Sequence, residues 1–370
     1  MNETNSGRAE DVAAKQQQAT AMLRDVDREG LLLLDPASFA WFTGGATAKG
    51  VLNPADLPAV YAQNSQRWLI CSNVDMQRLF DEELDGLGFQ LKEWPWHRGR
   101  SQLLADICHG KRVACDVPFG DCKTVGDELR TMRRKLSPWE QNRLREIGKA
   151  LAHAIEATCR NLESGESEEE VAGQLSHRLA HHGLEPVAIH VAADGRMRKY
   201  RRPGITAAKI ERNCVIQATI RKWGLHAAAS RAVTFDPADD EFRKEMDAAC
   251  RLTAVEAAGS AAGANPAQGL EVGRQVIQPL GFEHEWRLAP AGWVTGYVPV
   301  DLSFSPDESP GALQEGWALV WPGQVGAAVC CDTILVTEAG PQVVTPAELW
   351  PIKHIRVAGV VIERPDVLIR

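Results

Sequence analysis

The residues from Gly30 to Leu34 form a continuous apolar run, the pattern of a buried strand, and Asp35-Pro36 ends it. Arg67 to Cys71 and Arg112 to Asp116 have the length and apolar content of two further strands. Between them, Asp75 to Leu84 places Met76, Leu79 and Phe80 on one helical face. The segment from Met1 to Gln18 is polar and predicts a frayed lead or a short helix. Strands alternating with helices imply an α/β domain with a mostly parallel or mixed sheet, over about residues 20–130.

The pattern changes at Leu136-Ser137-Pro138-Trp139-Glu140. Ser137 can accept from the backbone N–H three residues on, Pro138 suits the first helical position, and Glu140 completes a capping box. A long helix follows to about residue 162, with Leu144, Ile147, Leu151 and Ile155 recurring on its core face. Gly165 breaks the chain, and Ser167 with Glu170 forms a second capping box. That second helix runs to His181-His182-Gly183, with the paired histidines in the last turn, where they complement the helix dipole. Val215 to Thr219 and Ala229 to Phe235 predict two strands joined near Lys222-Trp223-Gly224. An Ala-rich helix is expected from about Asp239 to Ala262.

Composition narrows the classes. A chain of 370 residues fits two domains, and a net charge of -8 gives no nucleic-acid footprint. The dense basic run Arg196 to Arg202 has two readings, a solvated surface turn or an anion-binding rim. The apolar run at Leu31 to Leu34 falls far short of the ~20 residues of a spanning helix, and the polar N-terminus lacks the apolar centre of a signal peptide. Nine cysteines, an odd number without a C-x-x-C pair, point to free thiols in a reducing cytoplasm. P-loop, G-x-G-x-x-G, H-E-x-x-H and G-x-S-x-G motifs are absent.

Several ordered blocks carry a resemblance. They are the two capped helix starts, Gly224 and Arg231 at the second strand, Leu313-Gln314-Glu315-Gly316-Trp317, Trp321-Pro322-Gly323, and Asp332-Thr333-Ile334-Leu335-Val336-Thr337. Together they resemble the pita-bread family of Xaa-Pro aminopeptidases, prolidases and creatinases. Phe39 to Gly45 resembles a stretch of that family's N-terminal domain. The resemblance implies a creatinase-like α/β domain over residues 1–135 and a pita-bread α+β domain over 136–370, in a homodimer.

The family holds two metal ions with two Asp, one His and two Glu. At the matching positions this chain has Gln217, Ala228, Trp293, Trp321 and Cys331. An amide is a weak neutral ligand, a methyl or an indole is none, and one thiol does not make a site. The expectation is therefore no metal and no cofactor, with two indoles plugging the former centre. Arg231 and Asp332 complete the expected pocket, as a substrate-binding cation or as an ion pair with each other.

Two functions follow from the resemblance. The first is a catalytically lapsed module that binds a small molecule or a protein, without nucleic-acid or membrane partners. Metal-free pita-bread domains serve as protein-binding modules in the large histone-chaperone subunit of the FACT complex. The second is a metal-independent, creatinase-like C–N hydrolase acting on a small nitrogenous substrate. In that case His226 is the acid–base candidate, because imidazole titrates near neutrality. Arg202 stands where creatinase has its catalytic His, and His190 lies twelve residues earlier.

Overall fold

A computed structural model describes residues 3–235, 239–305 and 311–370. The chain divides into two compact units, Met1–Glu140 and Gln141–Arg370.

The first unit is built on a mixed six-stranded sheet of order β4-β3-β2-β1-β5-β6. Its strands are β1 (Gly30–Leu33), β2 (Ala59–Gln63), β3 (Gln66–Ser72), β4 (Gln90–Trp94), β5 (Val113–Cys115) and β6 (Lys123–Thr124). β1 pairs antiparallel with β2 and parallel with β5, and Leu31, Leu32 and Leu33 are fully buried, as a central strand requires. Helices α1 (Glu3–Asp25), α2 (Pro36–Phe42), α3 (Met76–Arg78), α4 (Ser101–Cys108) and α5 (Gly126–Arg134) flank it.

The N-terminal segment is a helix of 23 residues, longer than its polar composition predicts. Only a narrow stripe of it is apolar, with Val12, Ala19, Met22 and Leu23 buried. Polar side chains fix the rest to backbone. Arg8 donates to the carbonyls of Thr43, Gly44 and Glu83, and Gln16 to those of Asn64 and Gln66. The helix expected over residues 75–84 narrows to α3, followed by a wider π-type turn over Leu79–Glu83.

The second unit begins within α6 (Pro138–Asn161), followed by α7 (Glu168–His181), β7 (Glu185–Ala193), α8 (Arg196–Lys199), β8 (Asn213–Lys222), β9 (Leu225–Thr234), α9 (Asp240–Ala258) and α10 (Pro266–Ile277). Then come β10 (Gly292–Thr295), β11 (Leu302–Phe304), β12 (Ala318–Val325), β13 (Ala328–Thr337), β14 (Gly340–Val343), β15 (Ile352–Val357), β16 (Val360–Pro365) and β17 (Val367–Ile369). Both capping boxes form: Ser137 and Glu140 exchange bonds, as do Ser167 and Glu170. β8 and β9 join through Trp223 and Gly224 at φ 53° and 77°, the two left-handed residues of a tight hairpin turn.

Two sheets, β17-β9-β8-β7 and β11-β10-β12-β13-β14, meet edge to face through hydroxyls. Thr333 Oγ1 bonds both the N–H and the carbonyl of Ala228 at 2.8 Å. Ser230 Oγ donates to the Val329 carbonyl and accepts from the Cys331 N–H, each at 2.8 Å. Each hydroxyl thus satisfies backbone groups that burial would otherwise leave unpaired. No helix among the described residues is long and apolar enough to cross a membrane.

Candidate functional site

Strand geometry brings some of the expected positions together. In the β8–β9 hairpin Gln217 faces Ser230 and Thr219 faces Ala228, so Gln217 and Ala228 lie diagonally on one face. Across β7, His190 is the direct partner of Gln217. A cavity of about 360 Å³ opens over this face. Gln217, Thr219, His190, Trp293, Pro322 and Gln324 line it, together with half-buried Arg201 and exposed Arg202.

The thiol of Cys331 is wholly buried. Burial, then the neighbouring Asp332, pushes that thiol far above its ordinary value, so it is a neutral SH. Ala228 is buried in the same apolar cluster as Cys331.

Three expected pocket residues face elsewhere. Val325 and Ala328 close the β12–β13 hairpin, and from that turn the register sets Pro322 opposite Cys331 and Trp321 opposite Asp332. Trp321 therefore points to the other face of its sheet. Its ring stacks on Phe304 at 4.8 Å between centroids, and its Nε1–H donates to Ser260 Oγ at 2.8 Å. It plugs a different part of the core and leaves the cavity open, which corrects the expectation of two indoles filling one space. Asp332 follows Trp321 to that face, where Arg364 and Arg231 bind it and Thr345 donates to it at 2.8 Å. Arg231 is also held by Glu156 at 3.0 Å and is fully buried, so it is a structural cation, not a ligand-binding one.

His226 also stands apart from the cavity lining. It is buried, and its Nδ1 lies 2.9 Å from the Gly296 carbonyl. A carbonyl only accepts, so Nδ1 carries the proton. Burial lowers its pKa to about 4, and it stays neutral near pH 7. His226 pins β9 to the loop after β10 and is not part of this cavity's lining.

The cavity's own chemistry is cationic and rich in donors. No Asp or Glu among the described residues lines it. Arg201 is neutralised by Glu285 at 2.7 Å, whereas Arg202 is exposed with no ion-pair partner among the described residues. His190 Nδ1 is tied to the Pro203 carbonyl at 3.0 Å. The Trp293 Nε1–H is buried without a hydrogen-bond partner among the described residues. The rest of the basic run is structural: Arg196 pairs with buried Glu168, and Arg198 with Glu245 at 2.8 Å. Its last residues form a rim, and its first ones brace the fold. The sequence names His190 but favours His226, whereas the pairing of His190 with Gln217 follows once β7 and β8 are neighbours.

A divalent ion wants hard anionic oxygens or several imidazoles, and this face presents amides, a methyl group, an indole and a neutral thiol. Among the described residues no group of three or more His, Cys, Asp or Glu side chains is placed to hold a metal ion. The residues present do not fit a dinuclear centre.

No protein-family model matches the chain, and no curated protein matches it. Solved structures do. An X-Pro aminopeptidase from Thermotoga maritima MSB8 superposes with a TM-score of 0.76 at 16% identity, covering 96% of this chain and 99% of that one. The prolidase of Pyrococcus horikoshii OT3 gives 0.76 at 16% identity over 90% and 99%. The N-terminal domain of the FACT complex subunit SPT16 from Cicer arietinum gives 0.64 at 11% identity over 94% and 97%. At these identities the likeness is one of fold: this chain has the two-domain pita-bread fold of prolidases and Xaa-Pro aminopeptidases.

Proposed function

We propose, from the fold this chain shares with Xaa-Pro aminopeptidases and prolidases, that it is a binding protein on a peptidase scaffold. It has no metallopeptidase activity, and its cavity receives a small molecule bearing an anionic group. One observation carries this reading: among the described residues the cavity that Gln217 lines has no carboxylate in its lining, and Arg202, exposed in that lining, has no ion-pair partner. Such a lining repels the divalent ions a peptidase centre needs and attracts a carboxylate or phosphate. The unpartnered Trp293 N–H adds a donor for the same group.

The test is direct. Purified protein, incubated with Mn, Co or Zn and desalted, should retain far less than one metal per chain and should not cleave Xaa-Pro dipeptides. Stoichiometric retained metal together with turnover overturns the reading. A thermal-shift screen should favour small carboxylates over their isosteric amines, because a ligand bound only by the native state raises apparent stability.

A metal-independent C–N hydrolase is the second reading, and His190 is what favours it. This imidazole lines the cavity with Nδ1 already engaged, whereas His226 does not reach it. Hydrolysis of a small guanidino or amide compound that survives chelation and disappears in His190→Ala would select this reading over simple binding. We further propose a reducing cytoplasm and a homodimer; nine cysteines, an odd number without a C-x-x-C pair, support the first.

A further inference from the structure

A second cavity, of about 410 Å³, lies on the other side of Pro290, Pro322 and Gln324 from the first. Helices α9 and α10 form one wall. They approach closely because position 273 is glycine; a Cβ there would sit 2.6 Å from Leu252 Cδ1. Leu252, Leu270, Ile277 and Phe304 make the lining mostly apolar. Its charged rim is largely self-neutralised: Arg274 pairs with Glu271 at 3.3 Å, and Glu285 with Arg201.

Besides the exposed Arg287, which also has no ion-pair partner among the described residues, Glu256 is the exception. It lines this cavity and is only 2% exposed, and its Oε2 has no hydrogen-bond partner among the described residues. A buried polar oxygen left unpaired is costly, and native proteins rarely keep one without use. Trp321 and Thr253, its neighbours in the same layer, have their polar atoms satisfied, by Ser260 and by the Ala249 carbonyl. Other buried polar atoms lack a partner as well, but among the described residues lining this cavity Glu256 alone carries one.

We propose that this cavity is a binding site for an uncharged, largely apolar molecule carrying one amide group, which Glu256 recognises from its inner end. Burial holds the Glu256 carboxyl well above its usual range, which favours its neutral form. A neutral acid and a primary amide each offer one donor and one acceptor in the same plane, so the two form a paired hydrogen bond. Neither partner brings a charge into the apolar lining. An ammonium would require Glu256 to ionise there and release its proton to solvent, and a carboxylate ligand would itself be desolvated as an anion. Both alternatives are disfavoured by the same physics.

Three isosteric probes separate these cases: 3-phenylpropanamide, 3-phenylpropylamine and 3-phenylpropanoate, titrated calorimetrically into the full chain. The amide should bind tightest, with an observed heat independent of the buffer's ionisation enthalpy. Glu256→Leu should weaken the amide at least about tenfold, the size of one lost hydrogen bond. Glu256→Gln, which can still pair with an amide, should stay within about threefold. Arg202→Ala, in the first cavity, should leave the amide unchanged, which separates this site from the one proposed above. Preference for the amine with proton release, equal amide binding by Glu256→Leu, or no binding of the amide overturns the proposal. Unfolding midpoints of both Glu256 variants show whether any loss comes from misfolding.

Discussion

Trp293 and Trp321 occupy adjacent strands yet face opposite sides of their sheet. Trp293 pairs with Val320, so Trp321 falls beside Gly292. The lack of a side chain at Gly292 makes room for the Trp321 ring; a Cβ there would lie 2.3 Å from its Cε3. Gly292→Ala should therefore destabilise the protein by about 1–3 kcal/mol, the usual cost of overpacking a core. Urea denaturation measures this, and an unchanged midpoint would show that Trp321 is free to move.

Asp332 anchors two buried arginines, Arg364 and Arg231. Removing one partner of a buried ion pair strands the other, at a cost of about 3–5 kcal/mol. Asp332→Asn should lose stability on that scale while any residual folded protein keeps the ligand preference of the first cavity. A change in that preference at full stability would put Asp332 back in the site.

Arg202 and His190 make the opposite prediction. Arg202 is exposed, so Arg202→Ala should change stability by less than about 0.5 kcal/mol. It should weaken a bound carboxylate about tenfold, within the range of a charge-assisted hydrogen bond. The weakening should shrink as salt is added, since an exposed charge is screened. Binding that is indifferent to both Arg202→Ala and His190→Ala would remove the first cavity from consideration.

The pH dependence of stability has a definite sign at His226. Its native pKa is lowered to about 4 by burial, against an ordinary 6.5. Between those values the unfolded chain holds a proton that the native chain does not, so stability rises with pH. This contribution is complete above about pH 6.5 and is lost as pH falls toward 4, a change on the order of 3 kcal/mol. His226→Asn should show a shallower decline across that window in parallel chemical denaturations. Identical slopes would mean that His226 is not buried as a neutral ring.

Much of the architecture was legible because it is written locally. Ser137 with Glu140 and Ser167 with Glu170 announce helix starts through side chains that bond their own backbone. Residues 217 and 228 share a face because the hairpin turn at Trp223-Gly224 fixes their register. What failed was non-local. The motif Trp321-Pro322-Gly323 suggests a side chain aimed at the old centre, but the turn between Val325 and Ala328 sets a register one residue away from that. A slip of one residue sends a strand side chain to the opposite face. The full length of α1 was missed because its docking depends on carbonyls from residues 43–83, which no local pattern reveals.

The sequence alone determined that Gln217, Ala228, Trp293, Trp321 and Cys331, the positions that the resemblance matches to a dinuclear centre, carry no carboxylate, since a ligand's chemical type needs no coordinates to be judged. It also determined the order of helices and hairpins, because caps and turns are properties of a few consecutive residues. Only the tertiary structure decided which face each strand residue serves. That choice left the first cavity open beside Arg202, sent Trp321 and Asp332 into the core, and set Glu256 against a second, apolar space. These outcomes depend on register and on packing between segments far apart in the chain, where a shift of a few ångströms reverses which atoms meet.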